Sequence, residues 1–217
     1  ALGTRISAQS FPQLHFLCFK YLRNPYFNNM RHFVSILFIS LASFILNSCS
    51  SRTATKAADE WKPLFNGNDI NDWIVKIQHH DVGVNFGNTF RVEENMIKVR
   101  YDQYENFNEQ FGHLYYKTPY SWYHLKMDYR FVGEWFKTAP SYTLRNSGVM
   151  FHSQDPRSMP KEQDWPISVE MQFLGGLSDG KPRPTGNMCS PGTEIVYKGS
   201  IYPGHCLNSI SKTYDGE

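Results

Sequence analysis

No aspartate or glutamate occurs among the first 48 residues, whose only permanently charged side chains are Arg5, Lys20, Arg23 and Arg31. The remainder lacks any strong imbalance. Removing those four from the 22 Lys and Arg of the chain leaves 18 against 20 Asp and Glu in residues 49–217, a net charge of −2. A near-neutral domain offers no basic footprint for a phosphate backbone, so nucleic acid is set aside as a partner. The apolar run 33–46 (FVSILFISLASFIL) has 14 residues, too few to cross a bilayer as a helix. Cysteine is sparse, four in all and without a CxxC pair, which removes the usual spacing of a structural zinc site. No stretch of the domain carries a capped 3.6-residue apolar period, which argues against a helical bundle. What is abundant is aromatic: 16 Phe, 13 Tyr and 5 Trp among scattered Gly and Pro, a composition suited to sheets.

The beginning of the chain reads as a leader. Met30-Arg31-His32, the apolar run and the LNSC that ends at Cys49 describe a secretory signal with a lipoprotein-type cysteine. A simple cleaved signal fits the same run. The expected organisation is non-native upstream translation over 1–29, a signal peptide over 30–48, a tether over 49–58 and one domain over 59–217. Acylation of Cys49 would anchor the protein to a membrane, as a periplasmic or outer-membrane lipoprotein of a bacterial cell envelope. An exported chain meets an oxidising compartment, so Cys189 and Cys206 are expected to form a disulfide. Two free thiols, or a metal site shared with His205, are the alternatives.

Within the domain, WKPLFNGNDINDW (61–73) sets Leu64, Phe65, Ile70 and Trp73 as anchors among turn residues. FRVE (90–93) and MIKVR (96–100) flank Glu94-Asn95 as a hairpin. In YHLKMDYRF, Tyr123, Leu125, Met127, Tyr129 and Phe131 alternate with His124, Lys126, Asp128 and Arg130. Short alternating strands between Gly, Pro and Asn turns predict an all-β fold, an antiparallel β-sandwich or jelly roll.

Two strands carry a different polar set. RNSGVMFH (145–152) places Asn146, Gly148, Met150 and His152 opposite Ser147, Val149 and Phe151. PISVEMQF (166–173) places Ser168, Glu170 and Gln172 opposite Ile167, Val169, Met171 and Phe173. Amides read hydroxyl groups through paired donors and acceptors, and a His/Glu pair can exchange protons near neutrality. Gly148 leaves room for a ligand against the backbone. The plain alternative is an ordinary solvated sheet face. His79-His80-Asp81 reads as a solvated loop.

WKPLFNGNDINDW, FGHLYYKTPYSWYHLKMDYRF, NSGVMFHSQDP, PISVEMQFLGG and the tail from NMCSPGTEIV together resemble the 3-keto-disaccharide hydrolase family, from about Trp61 to the end. The resemblance implies a concanavalin-like jelly roll, and further strands that would follow Glu217. It also implies as substrate a glycoside oxidised at sugar carbon 3 by a partner sugar dehydrogenase. On that chemistry a base removes the acidified C2 proton, the glycosidic oxygen leaves C1, and water adds back. Glu170 is then the general base or a ligand to a divalent cation, and His152 the second proton-transfer group or metal ligand. Asn146, Arg145 and Gln172 bind hydroxyls, Trp135 and Trp165 stack on a sugar ring or pack internally, and His205 reaches the site if the 189–206 loop folds over it. A non-catalytic, lectin-like module is the alternative. An ordinary glycosidase ranks last, because no second carboxylate shares the strand face of Glu170.

Overall fold

The computed structural model describes residues 61–214, together with the backbones of two strands before them, at 5–10 and 14–23. The strands in chain order are β1 (Arg5–Ser10), β2 (Leu14–Arg23), β3 (Trp73–Ile77), β4 (Phe90–Glu93), β5 (Met96–Val99), β6 (Gly112–Tyr116), β7 (His124–Phe131), β8 (Asn146–Ser153) and β9 (Val169–Leu174). Six short ones complete the set: β10 (Arg183–Pro184), β11 (Asn187–Cys189), β12 (Val196–Tyr197), β13 (Ser200–Ile201), β14 (Cys206–Leu207) and β15 (Lys212–Thr213). Helical structure among the described residues is confined to single 3-10 turns. The main strands form a seven-stranded sheet ordered β14-β11-β9-β8-β1-β6-β3 and a four-stranded sheet ordered β4-β5-β2-β7, all pairs antiparallel.

The expected β-sandwich is found. Period two puts alternate side chains on one face, and those faces meet. Trp73, Val75, Ile77, Leu114, Tyr116, Val149 and Phe173 of the large sheet pack with Phe90, Ile97 and Val99 of the small one. Tyr123, Leu125, Met127, Tyr129 and Phe131 close the layer from β7, with Tyr129 stacked on Phe173 at 4.4 Å between ring centroids. Ile77, Ile97, Leu114 and Val149 are fully enclosed. Each such aliphatic side chain contributes roughly 1.5–3 kcal/mol relative to exposure. Leu64, Phe65 and Trp73 are buried, and Ile70 packs beside them, as the opening turn segment requires.

The N-terminal segment departs from the sequence reading, which set the first 48 residues outside the fold. Here β1 runs between β8 and β6, and β2 between β5 and β7. Ala8 is in register with Leu114 on one side and Val149 on the other. The physical reason is that a count of charges and a start site say nothing of backbone conformation: Leu14–Arg23 holds Phe16, Phe19 and Tyr21, aromatic residues that favour strands. The run 33–46, Cys49 and the tether 50–58 lie outside the described residues.

Candidate functional site

The second face of the large sheet, turned away from the sandwich interior, holds the polar residues. Register places them in rows. Lys76 is opposite His113, and Gly148 is opposite Gln172, which is opposite Asn187. The neighbouring row runs Met150, Glu170, Cys189, Cys206. Strand β1 lies between the two parts, with Gln9 in register with both His113 and Gly148. At two strand spacings of about 4.8 Å each, His113 and Gly148 are roughly 10 Å apart across the sheet.

This face is not washed by solvent. Residues 159–164 lie over its β3–β6 end. Lys76 Nζ donates to the Lys161 carbonyl at 3.1 Å and Gln78 Nε2 to the Glu162 carbonyl at 3.0 Å. His113 Nε2 donates to the Asp164 carbonyl at 2.6 Å, and the Tyr115 hydroxyl to Met159 Sδ at 3.0 Å. Burial holds the Lys76 ammonium below the usual lysine range. His113 is fully enclosed, and desolvation lowers its pKa to about 4. Its Nε2 carries the proton that Asp164 accepts, so the ring is a neutral imidazole whose Nδ1 lone pair has no partner.

Glu170 is the centre of the other part. It is 5 % exposed and sits between Met150 and Cys189, both at 0 %. Loss of hydration with apolar neighbours disfavours the carboxylate, and the pKa is pushed up to about 8. The carboxyl reaches diagonally across β8: a Cβ added to Gly148 would stand 2.1 Å from Glu170 Oε1. The space that the sequence reading reserved for a ligand is therefore filled by the chain's own acid. Glycine is required there to let the carboxyl lie flat on the backbone.

Asn146 and Gln172 share this face with Glu170. Asn146 is buried, its Nδ2 donating to the Tyr142 carbonyl at 3.0 Å while Oδ1 has no partner. Gln172 is half-buried, and its Oε1 accepts from Asn187 Nδ2 at 3.0 Å. Arg145, with φ +44°, enters β8 and turns its guanidinium onto the Gly176 carbonyl. His152 is exposed with φ +52°, where β8 has one more residue than β1 between paired positions, a bulge.

The other candidates lie apart. Trp135 is half-buried and donates to Thr143 Oγ1 at 3.2 Å. Trp165 packs on Phe111 at 4.6 Å, against the cluster of Phe107, Phe111 and Ala139. The His205 side chain is exposed, while its carbonyl accepts from the Ser190 amide. The expected disulfide joins Cys189 to Cys206 across β11 and β14, directly beside Glu170. Among the described residues no three His, Cys, Asp or Glu side chains gather to hold a metal ion.

Sequence reasoning passed over His113, Lys76 and Asn187. A signal existed for two of them: in WIVKI and GHLYY a single polar residue interrupts a strand that is otherwise apolar or aromatic on both faces.

The family model for the 3-keto-alpha-glucoside-1,2-lyase-like domain matches residues 60–212. No curated protein and no solved structure matches the chain.

Proposed function

The chain belongs to the 3-keto-alpha-glucoside-1,2-lyase-like domain family, and from that premise we propose that it cleaves 3-keto-glycosides at the bond between C1 and the glycosidic oxygen. The observation that carries the proposal is a solitary carboxyl, Glu170, held nearly dry on a sheet face of amides with a pKa of about 8. A base for a proton next to a ketone works best when its pKa lies near the operating pH. Glu170 takes the C2 proton, and the electron pair left on C2 forms the enolate of the C3 ketone. The enolate collapses to a C1–C2 double bond as the C1–O bond breaks. The leaving oxygen takes a proton from His152. Water then adds at C1, giving its proton to His152, and Glu170 returns its own to C2. Gln172, Asn146 and Arg145 hold sugar hydroxyls. The supplier of the substrate is an enzyme that oxidises the C3 hydroxyl.

Glu170→Gln tests this reading. Turnover of a 3-keto-glucoside is expected to fall by about 10²–10⁴-fold, with substrate affinity kept. Activity of the unaltered enzyme should rise with pH through about 8, because the base must be ionised. Equal turnover by the Gln variant would end the assignment. The depth of Glu170 favours one other reading, a carbohydrate-binding module in which this acid is structural. In that case the unaltered protein binds sugar and turns over neither 3-keto nor unoxidised glucosides.

Export with a lipid on Cys49 belongs to the same proposal, supported by the disulfide. Labelled fatty acid should enter the chain and be lost in Cys49→Ser.

A further inference from the structure

A cleft of about 520 Å³ lies away from Glu170, where the 3-10 turn Phe86–Asn88 meets the loop between β5 and β6. Its walls are Phe86, Gln103, Tyr104, Glu105, Asn106 and Asn108. The sequence reading took His79-His80-Asp81 for a solvated loop, but half-buried His80 touches two residues that line this cleft, Phe86 and Gln110. Its ring stacks on Phe86 at 4.2 Å, and its Nε2 is 2.7 Å from Gln110 Oε1. Tyr104 meets Phe86 edge-on at 5.1 Å and is fixed by a 2.6 Å hydrogen bond between its hydroxyl and Thr89 Oγ1. Gly87, with φ +58°, lets the turn close on the loop, since a Cβ there would lie 2.9 Å from the Tyr104 ring.

The result is an exposed aromatic ring on a rigid base. Phe86 is 37 % exposed, although burying such a ring is worth about 2 kcal/mol. Around it Gln103, Asn106 and Asn108 present three primary amides and Glu105 one carboxylate, all exposed and engaging no partner among the described residues. Amides both donate and accept, a carboxylate accepts from hydroxyls, and an aromatic face covers the C–H face of a sugar ring. The volume falls within the usual span of about 300–1,000 Å³ for small-ligand sites.

We propose that this cleft is a carbohydrate-binding subsite for a neutral disaccharide-sized segment, separate from the Glu170 face. Phe86 is its stacking platform, and Gln103, Glu105, Asn106 and Asn108 are its hydroxyl readers. The proposal does not rest on catalysis by Glu170, because the two sites share no residue.

The test is a titration of the full chain with maltose and with cellobiose, followed through the backbone amide signals of residues 86–88 and 103–110. Saturable shifts with a Kd on the order of 1–10 mM are expected for at least one disaccharide. Phe86→Ala should weaken that binding about tenfold, the loss of roughly 1.4 kcal/mol of stacking. The combined Asn106→Ala and Asn108→Ala variant should weaken it to a similar degree. Turnover of a small 3-keto-glucoside should be unchanged in each variant. No saturable shift in this loop from either sugar up to about 100 mM, or a Kd left unchanged by Phe86→Ala, would overturn the proposal.

Discussion

Strand β7 and the pair β8–β9 read partly alike in sequence, polar side chains recurring every second residue apart from Gly148 and Met150, yet their polar faces have opposite fates. On β7, His124, Lys126, Asp128 and Arg130 are all exposed. On β8 and β9, Asn146 and Glu170 are buried and Gln172 half-buried. The difference lies in side-chain chemistry. A Lys or Arg without partners loses heavily on leaving water, whereas an amide can exchange water for protein partners and the Glu170 carboxyl can keep its proton. Charge alternation marks a face left wet, and amide alternation a face free to be covered.

The largest effect expected to test that contrast concerns the proton on Glu170. Its folded pKa of about 8 stands above the ordinary carboxylate value of 4.5, so the folded state binds that proton more tightly. The associated stability is fully present below about pH 4.5 and is lost as pH rises through 8. Glu170→Gln removes this dependence. In urea unfolding the variant should match the parent near pH 5 and exceed it by on the order of 4 kcal/mol at pH 9. A constant difference across that range would mean that the acid is not dry.

Next comes Ala8→Pro. A proline in a central strand deletes a ladder hydrogen bond and clashes with its neighbours, so a loss of about 3 kcal/mol or more is expected by thermal unfolding. An unchanged melting curve would take β1 out of the sheet and return residues 1–29 to the reading of upstream translation outside the fold. Gly148→Ala should cost about 1–3 kcal/mol, because its new methyl group falls on the Glu170 carboxyl. The smallest change belongs to the wet face: Lys126→Gln should alter stability by no more than about 0.5 kcal/mol.

Much of the sandwich was legible because alternation is a local signal. The 90–93 and 96–99 hairpin, β7, β8 and β9 all appear where apolar and polar residues take turns. The Cys189–Cys206 bridge was legible from the number and position of the cysteines. The site was half legible: Glu170, Asn146 and Gln172 fall together on one face. Its depth was hidden, because Glu170 is enclosed by Met150 and Cys189 of neighbouring strands, and the β3–β6 end by residues 159–164, none of which the alternation within one strand reveals. His113 and Lys76 were missed for the same reason, since a polar residue in a strand reveals nothing about what lies over it. Trp135 and Trp165 show the limit of composition: an aromatic near a site serves packing as readily as binding. The two N-terminal strands were invisible to charge counting, which set residues 1–29 aside as upstream translation and gives no sign of backbone conformation.

One feature of the cover over the large sheet bears on how this protein can change over time. Lys76, Gln78 and His113 grip residues 161, 162 and 164 by their main-chain carbonyls, which every amino acid possesses. Those three positions can drift in identity while the three anchors stay occupied. The evolutionary constraint falls on the anchors, and the covering segment is left free to acquire new surface chemistry.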